Sequence, residues 1–221
     1  VAKIGALIVV MVLGVSAPVF SQEKVQFVLR ASILAILEDN GMEGDPSPIL
    51  PSPGFSVSIP IPRVPLLTFE PGIDLYSTYY GYSYVLDRAV PYAIENRSAV
   101  VIGTMLSLPV EFGFRIRGIA GFHAFAGPSV DARLCLVADG LEGSDYDDAA
   151  SQTADISGYF WSEGRWAQFL MGGGFDFPFT SKTMLGVEFR LWYPAYRLWT
   201  GENLPATENL KLALGLTLVF R

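Results

Sequence analysis

Ten charged side chains and the single histidine fall where an extended chain would turn them to one side. They are Arg30, Glu70, Asp74, Glu111, Asp131, Arg133, Asp176, Glu188, Arg190 and Lys211, with His123 among them. Each sits in a stretch that alternates apolar with small or polar residues, and strand side chains alternate between two faces. In Leu185, Val187, Phe189, Leu191 the bulky residues take one face, while Gly186, Glu188 and Arg190 take the other. If the charged face turns inward, its acids must meet its bases, because an unpaired buried charge is costly. Two kinds of chemistry follow. The charges either form a salt-bridged plug, or they line a narrow path for small solutes or ions. In the second case the excess of acids gives a mild preference for cations.

Covalent catalysis is a poorer fit. A histidine needs a nucleophile on one side and an orienting acid on the other, and the sequence contains no recognisable set. His123 is expected to be a hydrogen-bonded member of the charge network, and no enzymatic activity and no cofactor are expected. Cys135 is the only cysteine, which excludes an internal disulfide framework and a cysteine metal cluster. Gly172, Gly173 and Gly174 lack the following Lys-Ser/Thr and the helix that a phosphate loop requires. They mark crowded backbone or a bulge in a strand. Asp145, Asp147 and Asp148 are expected in a solvated acidic loop rather than a calcium site. Asn96-Arg97-Ser98 matches a glycosylation triplet.

The elements that must position these charges are strands. The clearest lies at the C-terminus. Leu210, Leu212, Leu214, Leu216, Leu218 and Phe220 share one face, and Lys211, Ala213, Gly215, Thr217 and Val219 share the other. The same period predicts strands over 24–37, 55–62, 66–80, 98–112, 119–138, 165–179, 183–193 and 209–221. The second of these is the least regular, because Pro60 and Pro62 cannot donate to a ladder. Tight turns are expected near 63–65, 113–118 and 180–182. Longer connections are expected at 38–53, 81–97, 139–164 and 194–208, with a short helix near 147–156. Long and short connections alternate, as they do between extracellular loops and periplasmic turns. An even number of strands puts both ends of the barrel on the periplasmic side. Phe27, Phe69, Phe112, Phe177, Phe179 and Phe220 then form one aromatic girdle, and Tyr79, Tyr82, Tyr193, Tyr196 and Trp199 form the other.

Only 17% of the residues are charged, against about a quarter in a soluble domain, and no stretch in the body is apolar for the roughly 20 residues of a spanning helix. The net charge of −7 argues against nucleic acid as a partner. Residues 1–21 read as a cleaved signal peptide: Lys3, an apolar run, then small residues near Ser16, Ala17 and Ser21. That leaves 22–221 as one domain. A soluble lipocalin-like barrel would turn the apolar faces inward. It would also carry many Lys and Glu outside, where this chain has Gly, Ala, Ser, Thr and Val. The expected fold is therefore an eight-stranded antiparallel transmembrane β-barrel.

This pattern over 23–221 resembles the small outer-membrane barrels of the OmpA and OmpW type. The resemblance implies a bacterial outer-membrane location and contact with its lipid. The terminal strand, with Leu216, Leu218 and Phe220, resembles the assembly signal read by the outer-membrane insertion machinery, although Arg221 follows the aromatic residue. Two functions are open. One is an OmpW-like, porin-like channel for small or hydrophobic solutes, in which Pro128 opens a lateral gap by removing a ladder hydrogen bond. The other is a closed structural barrel whose surface loops bind a host ligand or partner.

Overall fold

The computed structural model describes residues 25–38, 48–64, 66–94, 96–116, 120–140, 144–200 and 208–220. The strands are β1 (Gln26–Leu37), β2 (Ile49–Pro60), β3 (Leu67–Phe69), β4 (Gly72–Ser83), β5 (Arg88–Pro91), β6 (Ala99–Ser107), β7 (Val110–Ile116), β8 (Ala120–Val137), β9 (Ala167–Pro178), β10 (Thr183–Pro194) and β11 (Leu210–Phe220). Two helices, α1 (Ser144–Trp161) and the single turn α2 (Arg197–Thr200), lie in the longer connections.

All pairings are antiparallel, and they close. β1 pairs with both β2 and β11, and β8 pairs with β9. β3 and β4 behave as one strand interrupted at Glu70–Pro71, and β6 and β7 as one interrupted at Leu108–Pro109. The register confirms this: Leu67 faces Phe112 and Gly72 faces Ser107 on one continuous alignment. The ring therefore has eight strands, as the period predicts. Stepping from partner to partner around it, Gly121 leads to Asp176, Gly186, Thr217, Arg30, Gly54, Asp74, Met105 and finally Asp131. The circuit returns to β8 ten residues from its start. That stagger tilts the strands and, with their number, fixes the barrel's width.

The two faces are inverted relative to a soluble protein. Ile33, Leu134, Leu214 and Leu216 point outward and are 56–64% exposed, while Asp131 and Lys211 inside are 0–1% exposed. Phe112, Phe114, Phe122, Phe175 and Phe177 form a chain of ring contacts along the outside near the turn end, with centroids 5.6–6.4 Å apart. An apolar belt edged by aromatic rings suits the hydrocarbon of a bilayer. The opposite girdle is thinner than expected. Trp199 is exposed, but Tyr196 is buried at 1%.

Some boundaries differ from the sequence expectation. β2 begins at Ile49, inside the predicted loop, although Pro51 and Pro53 lie in it. Both prolines pair with β1, opposite Ile33 and Ala31. Their nitrogens point to the other side, where pairing with β4 starts only at Gly54. No ladder donor is lost there, which is the position in which a strand tolerates proline. β4 runs past Tyr80 to Ser83 and returns as β5, a hairpin standing above the barrel wall. The glycine triplet lies within β9. A Cβ on Gly172 would meet the Phe189 carbonyl at 2.3 Å, and one on Gly174 the Val187 carbonyl at 2.4 Å. Crowded backbone is thus why these positions are glycine.

Candidate functional site

The interior holds every charge singled out above, but sorts them into two separate groups. The first lies toward the turn end. Arg30 reaches Asp74 at 3.1 Å and Glu70 at 3.4 Å, and its Nη1 donates to Ser56 Oγ at 2.7 Å. Ser56 in turn donates to Glu70 at 2.7 Å. From the opposite wall, Arg190 reaches Asp74 at 3.2 Å and Glu70 at 3.4 Å, and its Nε pairs with Glu188. His123 lies below, with Nδ1 3.3 Å from Asp176 and Nε2 3.4 Å from Glu188. Thr217 Oγ1 donates to Asp176 at 3.5 Å, and Thr68 Oγ1 to Glu111 at 3.3 Å. A small cavity of about 40 Å³ is lined by Glu70, Glu111, His123, Asp176 and Glu188.

The second group lies toward the loop end. Asp131 binds Arg133 at 2.7 Å and Lys211 at 3.0 Å, and accepts a hydrogen bond from Tyr76 at 2.8 Å. Asn209 Oδ1 accepts from Arg133 at 2.7 Å and from Lys211 at 2.5 Å. Glu38 faces Arg133 at 3.9 Å and accepts from the Tyr80 hydroxyl. Two carboxylates here meet two cations. In the first group, five carboxylates share two guanidiniums and one imidazole. The acid excess of the interior therefore lies at the turn end.

Between the groups sits an apolar layer of Leu34, Ile36, Tyr76, Met105, Phe125, Leu170, Trp192 and Ala213. Strand order places it there. β10 presents Glu188, Arg190 and then Trp192, and β8 presents His123, Phe125 and then, further along, Asp131 and Arg133. Trp192 and Leu34 are 0% exposed, and the Trp192 indole donates to Ser107 Oγ at 3.4 Å. Phe125 carries the Arg190 guanidinium 4.9 Å above its ring centroid. Gly172 leaves room for that ring, since a Cβ would stand 2.5 Å from Phe125 Cζ. The layer was not foreseen, because these residues alternate with charges on faces otherwise read as small and polar.

Among the described residues, α1 lies over the loop-end mouth. In α1, Ala149, Thr153, Ile156 and Phe160 are buried, a spacing of three to four that makes one helix face. That face packs on Tyr80, Ala89, Ala99 and Val101. Phe160 lies under the Arg133 guanidinium at 4.2 Å and edge-on to Tyr80 at 5.0 Å. Trp161 Nε1 donates to the Arg133 carbonyl at 3.2 Å, and Thr153 Oγ1 to the Ser98 carbonyl at 3.2 Å. The expected short helix is therefore an 18-residue cap.

The remaining predicted sites lie on the outside. Leu216 and Phe220 are exposed near the end of β11, and Leu218 is half-buried between them. Pro128 points outward and pairs with Phe169, and its carbonyl accepts from the Leu108 amide at 2.9 Å. The β8–β9 register continues through it, from Gly127 opposite Leu170 to Ser129 opposite Gln168. Residues 1–21 lie outside the described residues, and Asp145 lies in α1 with its side chain outside them.

An antiparallel ring of eight strands, with apolar residues outside and charges inside, defines a transmembrane β-barrel. Solved structures agree on the fold. The crystal structure of Neisserial surface protein A matches over 89% of this chain and 96% of its own, with a TM-score of 0.52 and 12% identity. Looser likenesses include the N-terminal β-barrel domain of Pseudomonas aeruginosa OprF (TM-score 0.40, 10% identity, 88% and 97% covered). Another is Ail, the attachment invasion locus protein of Yersinia pestis (0.45, 6%, 90% and 98%). No family model matches the sequence, and no curated protein is similar to it in sequence.

Proposed function

We propose that this chain is a bacterial outer-membrane protein whose barrel is closed, and that its work is done by the surface built from its outer loops. One observation carries this reading: an apolar layer centred on Trp192 separates two sets of paired charges. An aqueous path needs continuous polar lining, and packed apolar side chains interrupt the charged lining of this interior. The barrel then serves as a rigid stand for α1 and the β4–β5 hairpin. The terminal strand, ending in Phe220, is handed to the insertion machinery, and lipid covers the belt of Leu214, Leu216 and Phe220.

His123 takes a structural part. Both its ring nitrogens face carboxylates, Asp176 and Glu188, so neither is turned to a hydroxyl or thiol that it would activate.

Orientation gives the test. In cells expressing the chain, a cysteine at the exposed Asp147 position of α1 (Asp147→Cys, with Cys135→Ser) should react with a membrane-impermeant maleimide without lysis. Labelling only after lysis would place α1 on the inner side and overturn the reading.

A further inference from the structure

The apolar belt of the barrel ends at the turns, and the charges of the turns are all of one sign. The short connections 61–66, 117–119 and 179–182 contain Arg63, Arg117 and Lys182 and no Asp or Glu. Arg63 and Lys182 are exposed, and neither joins an ion pair among the described residues. We propose that the turn end binds the phosphate headgroups of anionic phospholipid and gathers that lipid around the barrel. The inference rests on the transmembrane placement given above and adds the headgroup class that the turn end selects.

The longer connections have the opposite character. Asp87, Asp139, Asp147, Asp148, Asp155 and Glu163 are exposed there. A chain of net charge −7 therefore keeps its turn cations at the end away from its exposed acids. The turn cations do not answer the acids inside either. Glu70, Asp176 and Glu188 take Arg30, Arg190 and His123 as partners within the lumen. An anion from outside the chain is then the counter-charge of Arg63 and Lys182.

The belt itself shows what lies beside them. Phe220 stands in register with both Phe27 and Thr183, and Lys182 comes just beyond that row. Phe179 opens the same turn and is 69% exposed. At the other turn, Ile59 and Val64 on either side of Arg63 are exposed. Apolar side chains with a cation just past them mark the depth at which acyl chains give way to phosphate. A guanidinium or ammonium there makes a charge-assisted hydrogen bond to phosphate oxygen.

Their arrangement favours lipid over a docked protein. Arg63 joins β2 to β3 and Lys182 joins β9 to β10, on opposite sides of the closed ring. A protein domain meets one side of a rim, whereas lipid surrounds it. A zwitterionic headgroup also carries phosphate, but its ammonium offsets the charge, so basic side chains select the anionic class.

The test uses the refolded chain in mixed vesicles of phosphatidylcholine and phosphatidylglycerol at about 0.15 M salt. With Cys135→Ser in place, a fluorophore is attached at Ser181→Cys, beside Lys182, or at Val64→Cys, beside Arg63. Either lipid is supplied brominated high on its acyl chains, as a contact quencher. At both positions phosphatidylglycerol should associate about fivefold more strongly than phosphatidylcholine. Lys182→Gln should bring the ratio at Ser181→Cys to about one, and Arg63→Gln should do the same at Val64→Cys. Lys182→Arg should keep it, and about 1 M salt should abolish it at both turns. Heat-modified gel mobility establishes that each variant is folded. Equal quenching by the two lipids at both turns, or a preference that survives both Gln variants, overturns the proposal. Loops found on the inner side would move the site to the other leaflet with this preference intact. Loops found outside, with no preference at either turn, overturn this inference alone.

Discussion

Replacing Arg190 by Leu is expected to destabilise the barrel by about 3–5 kcal/mol, the cost of breaking a buried ion pair by removing one partner. Arg190 answers three carboxylates at once, Glu70, Asp74 and Glu188. Asp74 and Glu70 keep Arg30, and Glu188 keeps His123. That remaining set leaves the turn-end group with one guanidinium for five carboxylates. Arg190→Lys should lose less, since the charge stays, but an ammonium lacks the planar fork that serves several acceptors at once. The double variant Arg190→Leu with Glu188→Leu should recover a large part of the loss, because an apolar pair of similar volume can replace a buried ion pair at little cost. Reversible urea unfolding in lipid vesicles measures all three. A single-variant loss below about 1 kcal/mol would mean that water reaches these charges and screens them.

Trp192→Ala is expected to cost about as much, roughly 3–5 kcal/mol, by a different route. Trp192 is the largest fully buried side chain among the described residues and packs among Leu34, Tyr76, Met105 and Phe125. Removing the indole leaves a hole that barrel walls pinned on both sides by strand pairing cannot close. Among the described residues it also leaves Ser107 with Ser129 as its side-chain partner, at 2.8 Å. Trp192→Phe refills part of the hole and should recover more than half of the loss. Equal losses in the two variants would show that the indole hydrogen bond to Ser107 matters more than packing.

Strand number, the inward placement of the charges and the outward placement of the β11 leucines could be read from the sequence, because a barrel wall enforces a period of two along every strand. Which inward residues meet could not. Arg30 and Asp74 are joined by the stagger of the ring, which carries Arg30 through Gly54 to Asp74. That stagger comes from the sum of eight registers and leaves no local mark. The apolar layer was hidden for a related reason: Leu34, Met105, Leu170 and Trp192 come from different strands, and each alone looks like a break in the pattern. Tyr196 looked like a girdle residue because aromatic type and position agreed. Only the chain's turn after β10 buries it. The length of α1 was missed because its exposed face is rich in Asp, Ser and Gly, so the buried series Ala149, Thr153, Ile156 and Phe160 stands out only once the mouth of the barrel is there to receive it.

Single-channel recording tests the central claim most directly. Residues 23–221 are refolded, inserted into a planar bilayer, and their insertion confirmed by protease protection. A closed barrel predicts a silent membrane in the native chain, even at high salt. Discrete and reproducible current steps, changed in size by Asp74→Ala or Arg190→Ala, would show a continuous aqueous path through the layer around Trp192 and contradict the claim.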